Sequence, residues 1–468
     1  MSKSGGARRK SWTPWSPRFR RPSNGMPARP SRSCPGSRLI TGRAPDPPPK
    51  AIPALVPNMS LVSPKTLYFG VAGLNSVATT LFFYYFYFFA QQQFGFGNRQ
   101  NLWLAALQGA TYAVGSWIGG RCAQRWGYSR ALRRGLMAMA LALAAGTAMS
   151  GVAAHVAVMI AVTLGTCFTW PSLEALVSHG EDRAGTQWHV GLYNLVWAGT
   201  GALAYFLGGA LLDAWGMVAL HWVPLGIVLV EWLLAKQAQQ LAVQTAHPAR
   251  TVPQDPAMTP GDRADQRRFL RMAWMANPFA YMAIQTLVAV MPGIAARLGL
   301  STTWAGICGS LWCFARLAAF AWLWRWEGWH YRFGWLAGSF TALLVSFAVL
   351  LTVPHLVAML VAQIVFGLAL GLIYSSSLFY SMDAGETKGE HGGIHEAAIG
   401  LGNMSGPLVG AVALQWWPAR PDSGAVAVCA LLAVGWLALL RAGWRRNCPL
   451  PGTEPPRSTS DQPSGPTA

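Results

Sequence analysis

Long apolar stretches alternate with short polar and basic joints along most of the chain. A bilayer core about 30 Å thick needs about 20 apolar residues per helix. Twelve such stretches can be marked off, near residues 67–90, 102–120, 135–151, 153–175, 188–212, 216–235, 269–291, 302–324, 333–353, 355–380, 394–416 and 423–441. The joints around Gly151 and Pro354 are the shortest. Residues Lys236 to Arg268 interrupt the series at its middle and carry Pro248, Pro253, Pro256 and Pro260, so they read as a linker between two sets of six helices. The pattern predicts an all-α membrane protein of twelve transmembrane helices. Its parts are an N-terminal extension over 1–58, a first bundle over 59–235, a linker over 236–268, a second bundle over 269–441 and a tail over 442–468.

Composition narrows the class further. Only 11% of the 468 residues are charged and 53% are hydrophobic, whereas a soluble domain carries about 25% charged residues. That excludes an ordinary cytosolic protein, and equally a disordered or coiled-coil chain. The net charge of +19 would suggest a polyanionic partner if it were spread over a folded surface. Instead, residues 1–50 hold twelve Lys and Arg against the single acid Asp46, and the remainder lies in short loops. The positive-inside rule accounts for the loops, and no nucleic-acid partner is expected.

Residues 1–58 are rich in Arg, Pro, Ser and Gly without a hydrophobic period, and are expected to be disordered. Met59 opens a short leader before the first apolar stretch, so it reads as an alternative start; a basic arm on anionic lipid is the other reading. The tail over 442–468 is likewise expected to be disordered. The seven cysteines form no CxxC pair and no Cys/His cluster, so neither disulfides nor a metal or other cofactor is expected.

The basic residues set the orientation. Arg121, Arg125, Arg130, Arg133 and Arg134 follow the second stretch, Lys236, Arg250, Arg263, Arg267, Arg268 and Arg271 occupy the central linker and its end, and Arg441, Arg445, Arg446 and Arg457 lie in the tail. Loops on the other side hold only Arg99, Arg297 and Arg420. Both termini and the linker are therefore expected in the cytoplasm, with the chain in the cell (inner or plasma) membrane.

An internal repeat links the halves. At an offset of 201, Gly127 meets Gly328, Gly191 meets Gly392, Gly199 meets Gly400, Gly201 meets Gly402 and Gly209 meets Gly410. In the first two helices of each half an offset of 202 pairs Asn75 with Asn277, Gly97 with Gly299 and Tyr112 with Phe314. Each half has six helices and starts on the same side, so the repeats are parallel, an arrangement that suits a midplane cavity between two bundles.

The loop Gly120-Arg121-Cys122-Ala123-Gln124-Arg125-Trp126-Gly127-Tyr128-Ser129-Arg130-Ala131-Leu132 resembles the signature G-x-L-A-D-R-x-G-R-K-x-x-L of the major facilitator superfamily, with Gly120, Ala123, Arg125, Gly127 and Leu132 matching. Gln124 stands where the signature has Asp. Gly402-Asn403-Met404-Ser405-Gly406-Pro407-Leu408-Val409-Gly410 is similar to the G-x-x-x-G-P-x-x-G pattern of that family's antiporters, but lies in the eleventh stretch instead of the fifth. The resemblance covers roughly residues 60–445. It implies two six-helix repeats and a secondary transporter that moves a small solute by alternating access, probed against the alternative of a non-transporting receptor or scaffold with the same fold. It also implies a single-chain unit without covalent catalysis, and a coupling proton or ion is an open possibility. No Walker lysine motif, GxSxG, HExxH or paired catalytic carboxylates are present, so no enzyme activity is expected.

Polar groups inside apolar stretches are the candidates for solute contact and gating. For contact they are Asn75, Tyr84, Tyr85, Gln108, Asn277, Arg316 and Asn403; for gating or coupling, Arg125, Gly127, Glu174, His395 and Glu396. The run Phe82 to Phe89 reads either as part of a cavity wall or as an interfacial aromatic belt. Glu231 reads as a carboxylate reaching the cytoplasmic interface. Arg316 lies nine residues before Arg325, about 13 Å from the helix end, too deep to snorkel. If it faces a cavity, its planar guanidinium suits an anionic solute; an ion pair or carbonyl contact is the structural rival.

Overall fold

The computed structural model describes residues 63–181, 183–244, 260–383 and 390–444, so the expectations for residues 1–58, for the middle of the linker and for most of the tail lie outside the described residues. Among the described residues all regular structure is helical. The first half comprises α1 (Pro64–Phe94), α2 (Asn98–Trp126), α3 (Tyr128–Ala148), α4 (Val152–Ser178), α5 (Arg183–Trp215) and α6 (Ala219–Gln244). The second comprises α7 (Pro260–Arg297), α8 (Thr302–Gly309), α9 (Leu311–Arg325), α10 (Phe333–Thr352), α11 (Leu356–Asp383), α12 (Glu390–Trp416) and α13 (Ser423–Trp444). α8 and α9 together make one crossing, so these thirteen segments are the twelve spans of the sequence pattern.

Three local features depart from the sequence reading. The eighth span is divided at Ser310, which keeps near-helical backbone angles and whose hydroxyl bonds back to the Ile307 carbonyl at 2.8 Å. Glu231 does not reach the interface. It is fully buried on the face of α6 that carries His221, Leu225 and Val228, and both carboxylate oxygens lack partners. The run Phe82 to Phe89 is no exposed belt either: all but Phe83 are buried within the bundle. Ten helices are long and apolar enough to cross a membrane by composition. The two others are α2 and α3, whose apolar character is diluted by Asn98, Arg99, Gln100, Asn101 and Gln108, and by Arg130, Arg133 and Arg134.

The repeat has a physical counterpart in how the helices touch. α5 packs on α1 within its own half and on α8 and α9 of the other; α12 packs on α7 within its half and on α2 of the other. Equivalent glycines make equivalent contacts. A side chain at Gly201 would meet Ser76 of α1, and one at Gly402 would collide with Pro278 of α7, which is Ser76 shifted by the repeat offset. Likewise Gly199 faces Leu317 of α9 while Gly400 faces Ala113 of α2. Small residues allow such close backbone approach where no hydrophobic effect drives helices together. At the α2–α3 joint Gly127 has φ +86°, a left-handed conformation that costs glycine little and other residues much.

Candidate functional site

A cavity of about 230 Å³ lies between the two halves, lined from α1, α2, α4, α5, α7, α11 and α12. Helical spacing explains which residues reach it. On α4, Thr166, Trp170 and Glu174 recur every four residues; on α7, Tyr281, Ile284, Gln285 and Val288 fall at i, i+3, i+4 and i+7; on α12, Glu396, Ile399 and Asn403 do the same at i, i+3 and i+7. Pro171 sits inside α4 next to Trp170, removing one backbone hydrogen bond at the level of the cavity. Seven tyrosines (Tyr84, Tyr87, Tyr112, Tyr193, Tyr205, Tyr281 and Tyr374) and two tryptophans (Trp170 and Trp197) make the wall predominantly aromatic.

Two carboxylates face this space, one from each half. Glu396 Oε2 accepts a hydrogen bond from Tyr112 Oη at 2.7 Å. Glu174 lies near enough for its charge to act on Glu396. Among the described residues no lysine or arginine belongs to the wall.

At mid-depth a hydrogen-bonded knot joins the halves. Gln285 Nε2 donates to Tyr87 Oη and to Gln108 Oε1, each at 2.8 Å, and Tyr87 Oη donates to Gln108 Oε1 at 2.8 Å. Further cross-half bonds gather at one end. Gln92 Nε2 donates to Thr302 Oγ1 at 3.2 Å, and Asp213 Oδ2 accepts from the Thr303 backbone N–H at 2.9 Å and from its hydroxyl at 2.6 Å. Near the opposite end Trp188 of α5 lies against Trp324 of α9 with ring centroids 4.5 Å apart. A second cavity of about 270 Å³ opens there beside His330, whose imidazole is held below its usual pKa by burial against the opposing pull of Glu327 and Asp383.

The residues singled out from sequence are distributed as follows. Tyr84, Gln108, Glu174, Glu396 and Asn403 line the main cavity. Tyr85 stands behind the wall, fully buried, its hydroxyl donating to the Tyr205 carbonyl at 2.5 Å. Asn75 and Asn277 are buried outside the lining, and the carboxamide oxygen of each has no partner. His395 is outside it too, with its ring 6.1 Å from Tyr374 and Nε2 buried without a partner. Arg125 and Gly127 sit at the exposed α2–α3 joint.

Arg316 is 8% exposed on α9 and has neither of the structural partners considered from sequence. Its guanidinium carbon lies 4.8 Å from the ring centres of both Trp197 and Trp312, and Nε has no hydrogen-bond acceptor. The cavity residues Tyr205 and Tyr281 are near enough to feel its charge. Gln285, Trp170, Trp197, Tyr205, Tyr281 and Tyr374 escaped sequence reasoning. The available signal was Gln285, a polar residue on an otherwise apolar turn of α7.

The family model described as Major Facilitator Superfamily matches residues 67–392. No curated protein matches the sequence. Among solved structures, the human organic anion transporter MFSD10 (TETRAN) is similar with a TM-score of 0.57 at 14% identity, over 81% of this chain and 98% of that one. A bacterial homolog of the human lysosomal transporter Spinster, in an inward-facing and unoccupied conformation, gives 0.53 at 14% identity, over 81% and 93%. A mutant of the peptide transporter POT in complex with sulfate gives 0.60 at 15% identity, over 81% and 94%.

Proposed function

The chain belongs to the major facilitator superfamily, and from that premise we propose that it is a secondary transporter which moves a small solute across the cell membrane by alternating access. The observation that carries this reading is the cavity itself: it is walled by both halves, and its wall is polar where Gln108, Gln285, Glu174 and Glu396 reach it. Rocking one half against the other would expose those groups to each side in turn. The side chains offer binding and positioning without a nucleophile–base pair, in keeping with transport and not bond chemistry.

The basic residues support a topology with both termini in the cytoplasm. On that topology the cross-half bonds at Gln92, Asp213, Thr302 and Thr303 fall at the external end. Spin labels test the reading without knowledge of the solute. Pairs at Arg99 and Arg297 report one end, and pairs at Arg130 and Arg325 the other. Two populations are expected at each end, with opening of one end matched by closing of the other on shifting the conformational equilibrium. A single unchanging distance at both ends would remove alternating access and favour a static scaffold.

A further inference from the structure

We infer that the transported solute is an organic cation, a protonated amine on a flat apolar body, held between Glu174 and Glu396 and against the aromatic wall. The inference rests on the alternating-access reading above and names the class of solute for that same cavity. Four observations carry it. The two carboxylates come from opposite halves, on α4 and α12, and share a space with no lysine or arginine in its wall. Glu174 has no side-chain hydrogen-bond partner, and Glu396 has only the Tyr112 hydroxyl. Both carboxylates are half-buried and face the cavity, and hydrogen bonds to an ionised group are the strong ones, so a solute that brings positive charge and N–H donors supplies what the wall lacks.

The third observation concerns the remaining surface. Trp170, Trp197 and the seven tyrosines present rings to the cavity, and aromatic faces attract ammonium groups while giving flat apolar bodies a surface to stack on. Fourth, a wall group is unpartnered: the Asn403 carboxamide oxygen, two turns along α12 from Glu396, has no hydrogen-bond partner. Arg316 is outside the lining and stacked on Trp197 and Trp312. Its charge is felt by Tyr205 and Tyr281, whereas the two carboxyl groups belong to the wall itself.

A bound cation would also bridge the halves. With both carboxyls ionised the empty cavity would hold two like charges from opposite bundles, and an ammonium between them would draw α4 and α12 together.

Binding is tested on the purified full chain by thermal unfolding and by equilibrium dialysis. The probes are benzylammonium and phenethylammonium, set against phenylmethanesulfonate and phenylacetate as anions of similar shape. Stabilisation by the ammonium ions, and not by the anions, is expected. Glu174→Gln and Glu396→Gln, which keep shape and hydrogen bonding, should each weaken ammonium binding about tenfold or more, and their elution and melting without probe establish that they fold. Binding of the anions in place of the ammonium ions, binding of neither set, or unchanged ammonium affinity in both variants would overturn the inference. The spin-label distances are measured without any solute, so alternating access can survive failure of the cation reading, and failure of alternating access is recognised separately.

Discussion

Arg316 shows how far a single deep charge can be read from sequence. Its depth was legible, because nine residues separate it from Arg325 on one helix, but its surroundings were not, since Trp197 comes from α5 in the other half. Two indole faces at 4.8 Å make it a strut between α5 and α9. A desolvated cation–π contact is worth about 2 kcal/mol, so Arg316→Gln is expected to destabilise the chain by about that amount or more in thermal unfolding. Arg316→Lys retains charge but loses the planar stacking surface and should fall between the two. If Arg316→Gln melts like the parent chain, the strut has no energetic weight.

Among the helices, glycine placement carries the most testable content. Gly402 on α12 presses on the backbone of Pro278 on α7, whereas Gly338 on α10 faces open space. Leucine favours the helix over glycine by about 0.5–1 kcal/mol. Gly338→Leu is therefore expected to be neutral or slightly stabilising, while Gly402→Leu must push two helices apart and should cost about 3 kcal/mol or more, with much reduced yield of folded protein. Equal melting temperatures for the two variants would show that the α7–α12 contact is loose. This contact was partly legible: the G-x-x-x-G-P-x-x-G run marks a small-residue face, though not the helix it meets. The division of the eighth span at Ser310 was not legible, because apolar residues continue on both sides of it. Glu231 misled for a related reason. Its nearness to Lys236 in sequence suggested an interface, but the rotation of α6 turns it inward with His221 and Val228.

For the molecule as a whole, the twelve spans and the twofold repeat follow from the spacing of apolar runs and from constant glycine offsets, which are properties of local sequence. The cavity does not, because its wall draws on seven helices whose rotations are set by packing alone. The cross-half bonds at one end are of the same kind. Asp213, near the end of α5, accepts from both the N–H and the hydroxyl of Thr303 and so ties the end of α5 to the start of α8. If these bonds mark a closed gate that must open during each cycle, a covalent tie there should stop transport without unfolding the protein. Asp213→Cys with Thr303→Cys, in a background whose native cysteines are replaced by serine or alanine, should cross-link under mild oxidation. Uptake of radiolabelled phenethylammonium into vesicles is then expected to cease and to return on reduction, while either single substitution leaves the oxidant without effect. Transport that persists in the fully cross-linked protein would show that the α5–α8 end stays together throughout the cycle.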